Sequence, residues 1–278
     1  MSRTIKLIVP AAGVGVRFAG TGGPIPKFLI PISGRPILSY LLRMASATRL
    51  ISQIIIILGP YYDSVLETIQ ELASNIMWKS ATEIICLKNP DFAKTNSIYS
   101  IYLARSFLED NFIIQDSDVL VAPQLFANLA AKKGRNIAWT LAQRMQSIPE
   151  EETKVVTDQK NQAIQLGERE VPSKFANGRF IGLSHIRSGA SEIFRDEIES
   201  LVKTGITGTY YTTAMKSLTT SKMLHTVWTN DQPWFEVDTL DDLKSINPNA
   251  KDAITQQTSP YKKGRMKATV KSLGDKAS

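Results

Sequence analysis

The chain lacks the residues that several chemistries require. It has one cysteine, Cys86, so no internal disulfide can form and a disulfide-stapled scaffold is excluded. A lone thiol of this kind fits a reducing compartment. Its two histidines, His185 and His225, are too few for a His/Cys metal cluster and read as structural or surface residues. No G-x-S-x-G elbow and no Gly-Lys-Ser/Thr run occurs, so a hydrolase nucleophile turn and a Walker loop are both excluded. No apolar run approaches the ~18 residues of a membrane span. The first residues, Met1-Ser2-Arg3-Thr4, lead into a strand pattern without a secretory apolar region, so the expectation is a cytoplasmic protein.

What remains is an ordinary globular composition over 278 residues, 43% hydrophobic and 21% charged, which excludes general disorder. The formal charge is +7, and it is unevenly placed. Residues 259–278 hold six bases (Lys262, Lys263, Arg265, Lys267, Lys271, Lys276) against Asp275, a net of +5, leaving +2 for residues 1–258. A nearly neutral body argues against nucleic acid as a partner. The expected organisation is therefore a single domain over 1–258 and a basic, solvated, mobile tail over 259–278.

The segment Ile5–Val9, broken only by Lys6, and the continuous apolar runs Ile54–Leu58, Ile84–Leu87 and Phe112–Ile114 predict strands buried on both faces. Helical spacing follows Pro36 (Ile37, Leu38, Leu41, Leu42, Ala45) and covers 65–73, 97–108 and 191–203. This alternation predicts an α/β fold, a Rossmann-like, mostly parallel sheet with helices on both faces. The second half reads as an inserted, substrate-facing region. It has a hairpin of 154–158 and 163–167, strands at 179–183 and 234–237, and a helix opened by Thr239 with Asp242 three residues on.

In such sheets ligands sit beyond the carboxyl ends of the strands. The loop Ala11-Ala12-Gly13-Val14-Gly15 follows the first strand, where small residues let backbone N–H groups approach a ligand. Phe18 occupies the last glycine position of a dinucleotide fingerprint, so that reading fails. Arg17 and Lys27, flanking a loose Gly/Pro stretch, suit a triphosphate whose charge grows as pyrophosphate leaves. Asp118 and Asp238 end two strands. With Glu236, on the strand face of Asp238, they form a hard-oxygen set suited to Mg²⁺. Asp116 shares the face of Asp118.

With these residues in view the chain resembles the nucleotidyltransferases of the nucleoside-diphospho-sugar transferase type. Val9-Pro10-Ala11-Ala12-Gly13-Val14-Gly15-Val16-Arg17 and Pro26-Lys27-Phe28-Leu29-Ile30-Pro31 look like their signature. Asn89-Pro90 with Thr95-Asn96-Ser97-Ile98-Tyr99-Ser100, Ser117-Asp118-Val119-Leu120, Lys154-Val155-Val156, Phe180-Ile181-Gly182-Leu183 and Trp234-Phe235-Glu236-Val237-Asp238-Thr239 are most similar to the phosphocholine and phosphonate cytidylyltransferases. The likeness runs over roughly residues 5–246.

The resemblance implies transfer of CMP from CTP to a small phosphate or phosphonate, with Mg²⁺ as cofactor and pyrophosphate released. A hexose-1-phosphate uridylyl- or thymidylyltransferase is the alternative. By position, Ala11, Ala12, Gly13, Gly15, Asn96 and Ser100 would meet the nucleotide, with Arg17 and Lys27 on its phosphates. Asp118, Asp238 and Glu236 would hold the metal. Lys154 would grip the acceptor, and Tyr210, Tyr211 and Trp139 would offer aromatic faces to it. The chain departs from the pattern at Pro10, Ser97, Ser117 and Thr212. Thr212 stands where choline-using members have an aspartate, which keeps 2-aminoethylphosphonate, a hydroxyalkylphosphonate or a polyol phosphate as alternatives to phosphocholine. The oligomeric state is left open.

Overall fold

A strand that is apolar at every position must bury both faces, and period-two alternation sends successive side chains into different cores. In the computed structural model, which describes residues 4–15, 26–246, 248–255 and 268–273, the first strand, β1 (Ile5–Ala11), does this. Leu7 and Val9 enter one apolar cluster and Ile8 the other. The chain continues through the short ribbon β2 (Pro31–Ile32) and β3 (Arg35–Pro36), α1 (Ile37–Ala47), β4 (Ile51–Leu58), α2 (Tyr62–Ser74), β5 (Thr82–Lys88), α3 (Ser97–Leu103), β6 (Asn111–Gln115), β7 (Val119–Val121) and α4 (Pro123–Ala130). There follow β8 (Ile137–Arg144), β9 (Lys154–Thr157), β10 (Ala163–Gly167), β11 (Gly178–Arg187), α5 (Gly189–Lys203), α6 (Thr212–Thr220), β12 (Leu224–Trp228), β13 (Trp234–Glu236), α7 (Leu240–Ser245), α8 (Pro248–Thr255) and β14 (Ala268–Leu273).

The sheet order is β10-β9-β11-β6-β1-β4-β5-β14, with β8 pairing β11 and β12. β6, β1, β4, β5 and β14 run parallel, and β11 joins β6 antiparallel. Helices α1, α2 and α4 pack on one face through Leu41, Ile69 and Phe126. Helices α3, α5 and α6 cover the other through Ile101, Phe194 and Met215. The expected mostly parallel, doubly covered sheet is thus present, extended by a half built on β11, whose pairs are antiparallel, with β12 running parallel to β8.

Three local expectations changed. The helix expected over 97–108 ends at Leu103 and passes into a 3₁₀ turn over Arg105–Phe107. Strands β8 and β12 carry interleaved polar residues such as Thr140 and Thr226, and no apolar run announced them. Residues 268–273, assigned to a solvated tail, form the edge strand β14. Ala268 and Val270 pack on the core, Lys271 pairs with Glu83 at 2.5 Å, and the Ser272 hydroxyl lies 2.8 Å from that of Tyr62. A basic side chain such as Lys271 on an exposed edge strand discourages further pairing, so a basic stretch can look like a tail while its alternate residues complete a sheet. No helix among the described residues is long and apolar enough to cross a membrane.

Two packing details yield predictions. A side chain at Gly59, just past β4, would strike the carbonyl of Ala12. Gly59→Ala is expected to lower stability by about 1–3 kcal/mol, the usual cost of overpacking, in denaturant titration. His185 is buried on β11 between the Leu129 carbonyl (Nδ1, 2.9 Å) and the Asn111 side-chain amide (Nε2, 2.6 Å). Burial lowers its pKa from 6.5 to about 4, so the unfolded chain binds the extra proton between those values. The stability it confers is complete above about pH 6.5 and falls away toward about pH 4. The loss is on the order of 3 kcal/mol, and unfolding of His185→Gln across that range is expected to show a shallower pH dependence than the parent.

Candidate active site

The loop after β1, the segment after β6 and the ribbon β7–β13 meet beyond the carboxyl ends of the parallel strands. The ribbon sets the key distances. Glu236 pairs with Val119, Phe235 with Leu120 and Trp234 with Val121, and the Val237 N–H donates to the Asp118 carbonyl at 3.1 Å. Leu120, Phe235 and Val237 bury themselves with Ile30, Ile32 and Tyr40 in a separate apolar cluster. That burial holds the ribbon closed. The Thr239 and Asp242 side chains then form the expected capping box at the start of α7.

Asp118, Glu236 and Asp238 are thereby brought together, one oxygen of each lying within 4.8 Å of the others. Lys27, in a 3₁₀ turn over Lys27–Leu29, reaches the same place. Its ammonium donates to Asp118 at 2.9 Å and to Asp238. Desolvation would lower the Lys27 pKa, but the two aspartates outweigh it and hold it above the ordinary lysine value. The Glu236 carboxyl is pushed up to about 7, by burial first and then by Asp118, against the pull of Arg179. Asp116 is raised well above the usual range by the same two causes in the same order, desolvation and then Asp118. A knot of carboxyls this close needs a cation, and Lys27 is that cation here.

A cleft of about 550 Å³ opens from this knot. Ala12, Gly13 and Gly15 line one end with Asn96, Ser100 and the buried Asn89. Asn89 donates to the hydroxyls of Thr95 and Ser100, both at 3.3 Å. Asn96 caps α3 by accepting from the Ser97 N–H at 2.7 Å. Ala11 does not line the cleft. Its side chain is buried in the core and its backbone pairs with Leu58. Arg17 lies outside the described residues.

The expected acceptor residues are placed differently. Lys154 is 1% exposed, and its ammonium donates to the carbonyls of Glu150 (2.7 Å), Glu152 (3.3 Å) and Glu168 (2.8 Å). All three of its protons are engaged, so it organises the 150–153 loop and presents no free charge to an acceptor. Trp139 is buried in the core, its ring 5.7 Å from that of His185, and does not line the cleft. Tyr210, largely exposed, and Tyr211, buried, both line it.

Several residues in or beside the cleft were given no role from the sequence. Arg179 on β11 pairs with Glu236 and, at 2.7 Å, with Glu152, and its guanidinium lies 5.1 Å from the centre of the Trp234 ring. Glu152, Glu168 and Phe180 line the cleft itself. These residues come from a loop, a hairpin end and a strand that only the fold brings together. Asn89 and Phe180 sat in recognisable segments.

No family model matches the chain. Over 127 residues it is 31% identical to the CMP-5'-(3-aminopropyl)phosphonate synthase of Streptomyces rubellomurinus (strain ATCC 31215), covering 46% of this chain and 19% of that protein. Over 170 residues it is 26% identical to the UTP–glucose-1-phosphate uridylyltransferase of Bacillus subtilis (strain 168), covering 55% of this chain and 57% of the other. In both cases the chain spans less than two thirds of the relative. The fold match is broader. The inositol-1-phosphate CTP transferase from T. maritima superposes with a TM-score of 0.72 at 17% identity, covering 91% of this chain and 96% of that one. The CTP:phosphocholine cytidylyltransferase from Streptococcus pneumoniae gives 0.69 at 18% identity over 87% and 96%. The chain is thus similar in part of its sequence to a CMP-phosphonate synthase, and almost throughout in fold to CTP transferases.

Proposed function

We propose that the chain is a Mg²⁺-dependent cytidylyltransferase, acting in the cytoplasm, that moves CMP from CTP to a small phosphate or phosphonate of the phosphocholine or 2-aminoethylphosphonate class. The carrying observation is the meeting of Asp118, Glu236, Asp238 and Lys27 in a cleft that the Gly-rich loop also lines. Three carboxylates offer the hard oxygen donors that Mg²⁺ prefers. The Lys27 ammonium between two of them shows that the position favours a positive charge. Asp118, Asp238 and Glu236 would hold the ion, which would neutralise phosphate charge.

In the reaction, an acceptor oxygen attacks the α-phosphorus of CTP, a new P–O bond forms, and the bond to pyrophosphate breaks. The protein's task is positioning and charge. Backbone at Ala12, Gly13 and Gly15 lets the nucleotide approach closely. Asn96 and Ser100 supply polar groups on its base side. Lys27, with Arg17, would meet the growing charge on pyrophosphate. The match to a uridylyltransferase keeps hexose-1-phosphate uridylyl or thymidylyl transfer as a second reading.

Lys27→Ala and Asp118→Ala are each expected to slow pyrophosphate release from CTP by about 10²-fold or more, the scale of losing a charge-stabilising group. Near-normal release by either variant would show the roles to be wrong. In a nucleotide panel with the same readout, CTP is expected to be preferred over UTP and dTTP, and the reverse preference would establish the second reading.

A further inference from the structure

Two segments distant in the chain supply carboxyls to the cleft. Glu151 and Glu152 come from the 150–153 loop, and Glu236 and Asp238 from the end of the β7–β13 ribbon. The loop is fastened to the sheet beneath it through its backbone. Lys154 donates to the carbonyls of Glu150 and Glu152, and the Phe180 N–H donates to the Thr153 carbonyl at 2.8 Å. Neither contact reaches the ribbon. Arg179 does, by pairing with Glu152 at 2.7 Å and with Glu236. Among the described residues no other ion pair ties this loop to the ribbon.

The surroundings of Arg179 suit that link. On β11 it stands opposite Lys154 of β9, and opposite residues of an antiparallel pair share a face of the sheet, so two neighbouring cations attend one loop. Its guanidinium lies 5.1 Å from the centre of the Trp234 ring. Trp234 is two residues before Glu236, on the same strand face, so β13 holds the guanidinium by ring as well as by charge. The side chains of Arg179, Glu152 and Glu236 are only 20%, 25% and 30% exposed, which spares them the full screening that makes open surface pairs weak. Both carboxyls line the cleft and Arg179 does not. It therefore acts through its partners.

One guanidinium shared by two carboxylates divides its attraction between them. When Glu236 serves a divalent cation together with Asp118 and Asp238, its charge is no longer free for Arg179, and the like charge of the ion repels the guanidinium. Glu152 is then the uncompensated partner, and its pair with Arg179 strengthens. We propose that Arg179 is a positioning residue that couples cation binding in the carboxyl cluster to order in the 150–153 loop, so that this wall of the cleft firms when the cluster is loaded. This rests on the cation site in the cytidylyl-transfer reading and adds a regulation of that site. The coupling is reciprocal: a firm loop also favours the cation.

The test uses the full chain and Mn²⁺ alone, an ion that shares the preference of Mg²⁺ for carboxylate oxygens and is visible by electron paramagnetic resonance. A protease that cuts after glutamate is directed at the exposed Glu150 and Glu151, and mass spectrometry reads the cleavage rate with and without saturating Mn²⁺. A glutamate-containing peptide cut in parallel corrects for any effect of the ion on the protease. In the parent, Mn²⁺ is expected to slow loop cleavage by about fivefold or more, the lower end of couplings between sites. In Arg179→Gln and in Glu152→Gln, each saturated with Mn²⁺ as judged by resonance, the slowing is expected to fall below about twofold. The comparison is a ratio within each variant, so a loop that is looser in both conditions does not imitate the loss. An ion that drew Glu152 in directly would leave the protection intact in Arg179→Gln, and that result overturns the proposal. Protection that survives in Glu152→Gln also overturns it. Mn²⁺ binding to the parent without protection overturns the coupling and leaves the cation site standing, whereas failure of the parent to bind Mn²⁺ removes both. Protection lost in both variants, with no CMP adduct formed by the parent from CTP and phosphocholine or 2-aminoethylphosphonate, upholds the coupling and removes cytidylyl transfer to that class.

Discussion

The antiparallel pairing of β13 with β7 is the constraint on which the candidate site depends. Asp118 and Asp238 are 120 positions apart in the chain. The register that sets Glu236 opposite Val119 delivers both to one place, with Glu236 between them. Such packing of like charges is unfavourable by itself. It persists because the ribbon is anchored by Leu120, Phe235 and Val237 in their own apolar cluster, and because the Lys27 ammonium lies against two of the three carboxyls. Apolar burial holds the backbone, and the lysine offsets the repulsion that the backbone imposes.

The surrounding charges continue the same logic. Arg179 joins Glu236 on one side and Glu152 on the other, so the carboxyl cluster and the 150–153 loop share a cation. The loop is shaped from beneath by Lys154, whose buried ammonium is satisfied by backbone carbonyls alone. A cation buried without a carboxylate partner is costly unless its protons are all bonded. The loop carbonyls converge to meet that demand, and the side chains of Glu151 and Glu152 are left facing the cleft. The cleft is therefore lined by the Gly-rich loop, by the carboxyl cluster and by further carboxyls of the 150–153 loop.

Much of the central architecture was legible in the sequence. The apolar runs Leu7–Val9 in β1 and Ile54–Leu58 in β4 fit a parallel sheet covered on both faces, and helical spacing after Pro36 and around Val65 supplied the covers. The loop after β1 and the aspartates at strand ends were legible because chemistry restricts which residues can occupy those places. The antiparallel half was less so. β8 and β12 mix polar and apolar positions, because hydroxyls such as Thr140 are satisfied internally, here by Ser184 at 3.0 Å. β14 was hidden by the basic stretch around it, since alternation over six residues with Lys271 among them is too short to outweigh that composition.

The sequence alone determined the sheet's parallel core, the Gly-rich turn, and the presence of Lys27, Asp118, Glu236 and Asp238 as candidates, because periodicity and residue chemistry are local properties. Tertiary structure alone decided that Lys154 turns inward to carbonyls, that Trp139 lies in the core, that Arg179 joins Glu152 to Glu236, and that Asp116 and Tyr211 line one cleft. Those outcomes depend on which atoms the fold places within hydrogen-bonding distance, and no spacing along the chain encodes that.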